Sequence, residues 1–428
     1  MGFTVASMLC GVAESLPQMV LFRALQGMCG AALVPLSQTT MFDLYPVEQR
    51  GSAMAMWGMG VMVGPIMGPT LGGYLTDMYD WRWVFYVNLP FGILAVAGLW
   101  FFMKDEGRNA RVGFDWLGFG VLSLGLGAFQ LFIDRGESQD WFGSSEIIVE
   151  AVLAGLGVYL FFVHMFTAKA PFISPKIFAD RNFLGGFFMM FTMGLVLLSS
   201  SALLPPYLQS LGNYSVTDAG LLMAPRGVGT MIAMMISGRL SSRMDPRLLM
   251  LGGIVMMTLA VWQMTGWTPD IDPRSIVATT MLQGFGMGFV FIPLQVVAFA
   301  TLQPHYRTDA AALFSLMRNI GSAIGISVAV VLLTQSTAIM HAQFAEQITP
   351  FNRFLEYGPA GLFMNPHVPM GLTALDAQIS RQASIIAYGN VFMAMLFAGL
   401  PAALALLLMR RPPRYTPKPE EPLAAALE

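Results

Sequence analysis

The feature that most constrains this chain is a succession of long apolar runs with few charges inside them. WVFYVNLPFGILAVAGLWFF, from Trp83 to Phe102, is one such run. Roughly 20 apolar residues match the thickness of a bilayer core. Lipid offers the backbone no hydrogen-bond partners, so only helices and closed barrels cross it. The runs are continuous rather than alternating, which selects helices. Spans are expected at about 1–16, 17–42, 51–76, 83–103, 113–133, 145–166, 182–204, 217–240, 247–267, 274–300, 308–335 and 382–408. Composition agrees: 11% of residues are charged, against about 25% in soluble domains. The fold class expected is an all-α membrane protein with about 12 spans.

Several function classes drop out. The formal net charge is -2, and no long basic run or aromatic-interleaved basic patch suggests nucleic acid. Cys10 and Cys29 lie in apolar stretches and read as small core residues. His164, His305, His341 and His367 are scattered without ligand spacing. No catalytic constellation is present, so no enzyme activity, cofactor or metal is expected. Met1 is followed directly by apolar residues, without the basic region of a cleavable signal peptide.

Most connections are short. The exception is about 336–381, a polar segment with Pro and Gly that is expected to be a partly mobile loop. The tail RRPPRYTPKPEEP after Met409 is expected to be a disordered cytoplasmic end. Lys and Arg set the orientation. With the N-terminus of the first span placed in the cytoplasm, fifteen lie on the cytoplasmic side, among them Arg50, Lys104, Arg108, Arg111, Arg243 and Arg307. Five lie on the other side, and Arg23, Arg226 and Arg318 lie inside spans, which accounts for all 23.

The chain also repeats. A shift of 257 residues places Leu25-Gln26-Gly27 on Leu282-Gln283-Gly284, Gln38 on Gln295, Arg50 on Arg307, and Gly64 and Gly68 on Gly321 and Gly325. Residues 182–408 then hold a six-span bundle, whereas residues 1–103 hold four spans before an extra pair with its linker at 104–181; residues 409–428 form the tail. The loop GRLSSRMDPR, Gly238 to Arg247, would map ahead of Met1. Two spans and a loop are therefore expected to be absent, through an internal start or a shortened gene model. A true twelve-span protein is the competing reading.

Residues able to carry chemistry lie inside spans. In LFRALQGMCGAALVPLSQT, Arg23, Gln26, Gly27, Gly30, Val34 and Gln38 recur at three and four residues and share one helical face. An intramembrane arginine normally faces the bundle interior or a wet cavity. Arg23 therefore reads as a proton-relay or cavity residue, with carbonyl bonding as the structural alternative. Gln26, Gln38, Gln283 and Gln295 fit cavity roles or interhelical hydrogen bonds equally well. Arg226 in LLMAPRGVG and Arg318-Asn319 in LMRNIGSAIG are further candidates, with snorkelling or structural bonding as the alternative. Gly60, Gly64, Gly68 and Gly72 form a small-residue stripe suited to close helix packing, with Gly73 beside it. Pro65 and Pro69 are expected to bend that helix. Carboxylates such as Glu14, Asp43, Asp77, Asp134, Glu146, Asp218 and Asp309 sit at span ends and read as solvated caps; Glu150 lies deepest. The 34 Met and 32 Phe residues suit an adaptable apolar cavity and also ordinary lipid-facing surface.

These motifs together resemble the major facilitator superfamily. VGPIMGPTLGG, from Val63 to Gly73, looks like the superfamily's antiporter motif, and LFRALQGMCGAA looks like its RxxQG span motif. GRLSSRMDPR, with Gly238, Arg239 and Arg243, resembles a degenerate copy of its loop motif. The extra central pair, PLSQT and DWRWVFYVNLPFG are similar to the fourteen-span drug:proton antiporters of the EmrB/QacA type, with the EmrB branch the nearer. The family's antiporter motif lies in the fifth span; here it lies in the third, in line with two absent spans.

The resemblance implies two pseudo-repeated helical bundles plus an extra pair. It implies proton-driven export of hydrophobic or amphipathic compounds across the inner membrane, with small hydrophobic substrates, membrane lipid and no nucleic acid as partners. A periplasmic adaptor and an outer-membrane channel are implied by resemblance alone. The family's first-span acid would be the coupling group and Arg23 its partner. Uptake of a nutrient or siderophore and a non-transporting membrane protein remain the alternatives.

Overall fold

The computed structural model describes residues 1–46, 49–102, 114–241, 243–348, 364–365 and 368–410, with backbone only at Pro65, Ile66, Pro69, Thr70, Asp77 and Pro304. The described elements are helical. They are α1 (Gly2–Gly11), α2 (Leu16–Gly30), α3 (Leu33–Leu44), α4 (Arg50–Met78), α5 (Trp83–Tyr86), α6 (Asn88–Phe102), α7 (Trp116–Arg135) and α8 (Ser145–Thr167). Then follow α9 (Arg181–Met193), a π turn (Gly194–Leu198), α10 (Ser199–Ser210), α11 (Val216–Leu240), α12 (Pro246–Thr265), α13 (Pro273–Ala300), α14 (Arg307–Glu346) and α15 (Pro369–Leu408), with short 3₁₀ turns between some of them.

Among the described residues, ten helical stretches are long and apolar enough to cross a membrane. The remaining expected spans are α1, only 10 residues long, and α4, which at 29 residues has ample length. Side chains start the helices where the sequence offers caps. Ser15, Asp115, Asp180, Ser215, Asp245 and Asp272 each accept a first-turn backbone N–H.

The expected long loop is shorter than its composition suggested. α14 runs to Glu346 rather than ending near 335, and α15 begins at Pro369 rather than near 382. STAIMHAQFAE is polar but rich in Ala, Met, Gln and Glu, all good helix formers. The two extensions are joined by His341 Nε2 and Asp376 Oδ1, 2.9 Å apart. Most of the remaining connection, the basic loop at Lys104, Arg108 and Arg111, and the tail beyond Arg410 lie outside the described residues.

Three packing units follow in chain order. α1, α2, α5 and α6 pack together, with Ser7 Oγ donating to Phe85 O at 3.0 Å and Asn88 Nδ2 donating to Ser7 Oγ at 3.0 Å. α7 and α8 form the extra pair and meet at Gly125 and Gly157, where a Cβ on Gly157 would lie 2.5 Å from Gly125 Cα. Asp115 fastens one end of this pair: it accepts from Gly118 N, Phe172 N and His164 Nε2, each at about 2.9 Å. The backbone N–H of Gly118, above all, holds its carboxyl below the usual carboxylate range; the Phe172 N–H and His164 add to this, against desolvation. α9 to α15 form the larger unit around α13, whose most apolar stretch is 78% buried, against 6% for Trp83–Phe102. Cys10 is buried as expected; Cys29 is exposed, so its apolar surroundings in sequence mark outer surface rather than core.

Candidate functional site

The face shared by Arg23 and Gln38 divides between two places, because the helix is interrupted between Gly30 and Leu33. Arg23 and Gln26 line a cleft of about 490 Å³ with Phe3, Gly27, Gly30, Val84, Phe85 and Asn88. Arg23 Nη1 donates to Gln26 Oε1 at 3.1 Å, and its guanidinium lies 4.5 Å from the centre of the Phe85 ring. Gln26 is buried, whereas Arg23 is open to the cleft. Among the described residues, no carboxylate lines it.

Gln38 is elsewhere. Its Nε2 donates to Gln295 Oε1 at 2.5 Å, joining α3 to α13 of the last unit. These two residues are repeat mates, 257 apart. One turn further on, Phe42 stacks on Phe299 with centroids 4.8 Å apart and planes at 17°, and Phe42 plus the repeat offset is Phe299. The repeat axis therefore runs between the two glutamines and between the two phenylalanines. Trp57 stacks on Phe291 at 6.3 Å, and its Nε1 donates to Ser37 Oγ at 2.9 Å. Arg307 Nη1 lies 3.2 Å from Asp43 Oδ1. A Cβ on Gly51 would lie 2.6 Å from Gly238 O, so only glycine lets α4 and α11 approach this closely. Gly238 of the loop motif is thus a contact point, with Arg239 and an exposed Arg243 following it.

The antiporter stripe behaves differently. A Cβ on Gly58 would crowd Met234 and Ile292, but among the described residues a Cβ on Gly60, Gly64, Gly68, Gly72 or Gly73 would meet nothing within 4 Å. The expectation that this face packs closely on another helix is therefore not met in this conformation. Among the glycines of α4, close approach is confined to Gly51 and Gly58. The side chains of Pro65 and Pro69 lie outside the described residues.

In the last unit, Arg226 and Gln283 meet at the π turn. Arg226 Nη2 donates to Leu197 O at 2.9 Å, and Gln283 Nε2 donates to Ser200 Oγ at 3.0 Å. Arg318 packs its backbone on Gly194 of the same turn, while Asn319 is exposed. In the extra pair, Glu150 is buried and lies 3.5 Å from Arg135, which pairs mainly with the exposed Glu146.

Sequence reasoning missed Phe42, Phe299, Trp57, Phe291, Gly51 and the Asp43–Arg307 pair. The repeat offset alone would have found the two phenylalanines.

A bundle of apolar helices carrying an internal repeat whose mates meet face to face, Gln38 on Gln295 and Phe42 on Phe299, has the architecture of a transporter. The Major Facilitator Superfamily profile matches residues 1–326, and the chain belongs to that superfamily. It is 33% identical to the multidrug export protein EmrB of Escherichia coli K12 over 417 residues, covering 96% of this chain and 81% of the relative. It is 32% identical to the fatty acid resistance protein FarB of Neisseria gonorrhoeae over 420 residues, covering 97% and 82%. Among solved structures it resembles an inward-facing, unoccupied bacterial homologue of the human lysosomal transporter Spinster, with a TM-score of 0.54 and 17% identity over 97% of this chain and 83% of that one.

Proposed function

We propose that the protein exports hydrophobic and amphipathic compounds across the cytoplasmic (inner) membrane by alternating access, driven by proton entry. The observation that carries this reading is the axial latch: repeat mates Gln38 and Gln295, and Phe42 and Phe299, meet where α3 packs on α13, while the antiporter glycines further along α4 have no close neighbour among the described residues. Its parts are individually weak. An interhelical hydrogen bond in a membrane is worth about 0.6–2 kcal/mol, and a stacked aromatic pair about 0.5–1.5 kcal/mol beyond its area burial. Asp43 is 59% exposed, so its ion pair with Arg307 adds at most about 1 kcal/mol. A sum of a few kcal/mol can be overturned by differential binding of substrate or protons.

Residues 1–103 and 182–408 are the moving bodies, and residues 104–181 the extra pair and linker. The excess of Lys and Arg supports a cytoplasmic C-terminus and a cytoplasmic position for the latch, which would leave this conformation facing outward. Arg23 and Gln26 line the cleft beside Phe85 and Asn88 and serve proton coupling. The names of the relatives, multidrug export and fatty acid resistance, support amphipathic substrates. An adaptor and an outer-membrane channel are partners by family resemblance.

The test is transport in everted vesicles energised by a proton gradient. Accumulation of an amphipathic dye that collapses with a protonophore is expected. Arg23→Ala should abolish accumulation while leaving downhill exchange of dye. Accumulation insensitive to the protonophore, or none at all by the intact protein, would refute the reading.

A further inference from the structure

Among the described residues, Glu150 is the one carboxylate that the protein buries. It lies in the second turn of α8, 8% exposed, and its Oε2 is wholly buried with no hydrogen-bond partner. The arginine beside it is committed elsewhere. Arg135 Nη1 donates to Glu146 Oε1, and Nη2 donates to Glu146 Oε2 at 3.1 Å. Glu150 Oε1 receives only a 3.5 Å contact from the same Nη1. Two carboxylates thus share one guanidinium, and one negative charge is left over at a buried oxygen. Such a charge is costly in a membrane protein and marks a functional site. A proton on Oε2 cancels it. A metal cation is a poor substitute, since the guanidinium repels it.

The other charged groups around Glu150 are few. On α7, Asp134 is exposed and accepts from Gln130 Nε2 at 2.8 Å. In the turns that follow, Glu137 accepts from Trp141 Nε1 at 3.0 Å, and Asp140 is exposed. Further along α8 come only an exposed Tyr159 and His164, which is held by Asp115 at the far end of the pair. α14, which packs on α7, carries no titratable residue between Arg318 and His341. Glu150 is therefore the sole acid inside the pair, about 8 Å from the start of α8. Glu146, exposed and four residues away, stands on the same face toward water. The pair is also tied to the last unit, because Ser327 Oγ of α14 donates to Ile133 O at 2.9 Å, two residues before Arg135. A change of charge at Glu150 is thus felt at a helix of a moving body.

We propose that Glu150 is a proton-carrying carboxyl of the exporter, loaded from the end of the extra pair where Arg135 and Glu146 meet water, with Arg135 as its counter-ion. The proposal rests on the exporter reading and adds a coupling acid to it, since no described carboxylate lines the Arg23 cleft. Loading moves one proton from water to Glu150 Oε2. An O–H bond forms, the carboxylate becomes neutral, and Arg135 is left to Glu146 alone. Unloading returns the proton to water and the charge to Glu150.

The test reads the proton without transport. Infrared spectra of the full chain in lipid, recorded from alkaline to acid pH, should contain a protonated-carboxyl C=O band that Glu150→Gln loses and Glu150→Asp keeps at a displaced position. If Glu150→Gln does not fold, the displacement in Glu150→Asp carries the test. Spectra of the intact protein and Glu150→Gln that agree at every pH would overturn the proposal. In vesicles, downhill exchange of an amphipathic dye should vary with the pH on the Glu146 side. Glu150→Gln should lose that variation, and Glu150→Asp should retain it. A Glu150→Gln protein that keeps the full pH profile would also overturn the proposal. An intact protein that moves no dye sinks the exporter reading instead, and the infrared band then decides by itself whether Glu150 takes up a proton.

Discussion

The two ends of α4 are packed in opposite ways, and its start marks the closed end. At the closed end α4 lies against α11 so tightly that Gly51 and Gly238 admit no Cβ. Further along α4, five glycines of the antiporter motif face nothing within 4 Å. Glycine at the closed end is required by a contact that exists. Along the stripe it is required by none in this conformation. On the proposed mechanism those glycines serve the conformation in which the outer end closes and the latch opens. The comparison teaches that a small-residue stripe can mark where helices will meet rather than where they do.

The largest effect that breaks the comparison is Gly51→Leu. Forcing a side chain into a 2.6 Å gap must separate α4 from α11, and overpacking costs about 1–3 kcal/mol. Efflux is expected to fall more than about tenfold, the shift that about 1.4 kcal/mol makes in an equilibrium. Gly64→Leu sharpens the contrast. It should leave disulfide cross-linking across the closed end intact and still slow turnover, because it obstructs only the other conformation. Unimpaired turnover in Gly64→Leu would end the idea that the stripe closes.

Next comes the axial pair. Gln38→Leu should shift the population toward opening by about threefold to twentyfold, the range that 0.6–1.7 kcal/mol spans, read by thiol labelling at a cysteine placed beside the latch. Asp115→Ala removes three hydrogen bonds at the end of the extra pair and should lower the melting temperature without changing the closed-end cross-link. Since the folded carboxyl titrates below its unfolded value, its contribution is complete above the ordinary carboxylate pKa. It is lost only as pH falls below that value, through the lowered folded one. A melting temperature flat from neutral to mildly acid pH is therefore expected from this group. The smallest effect is Asp43→Asn, a slight loosening that vanishes at high salt, since Asp43 is exposed.

Much of this was legible in the sequence. Apolar runs fix spans, because the bilayer leaves few alternatives, and the order of helices follows. The second repeat mark, Gln38 on Gln295, was also visible. That the two mates touch was not, since a repeat gives equivalence and not the position of its axis. The helical extensions of α14 and α15 were hidden because polarity ends a span but does not end a helix. Arg226 was recognisable as costly. Its partner, a carbonyl on a π turn, leaves no trace in residue identity. The stripe was legible as small and as suited to close packing; whether it is packed belongs to a conformation and not to a segment, and here it is not.

The most direct test is a pair of distances between spin labels, after Cys10 and Cys29 are replaced. Leu44 and Met244 report the closed end; Met78 and Val216 report the open end, and all four are exposed. The account predicts a short, narrow distance at the first pair and a longer, broader one at the second, with substrate and acid pH moving them in opposite directions. Distances that rise or fall together, or do not respond, would contradict it.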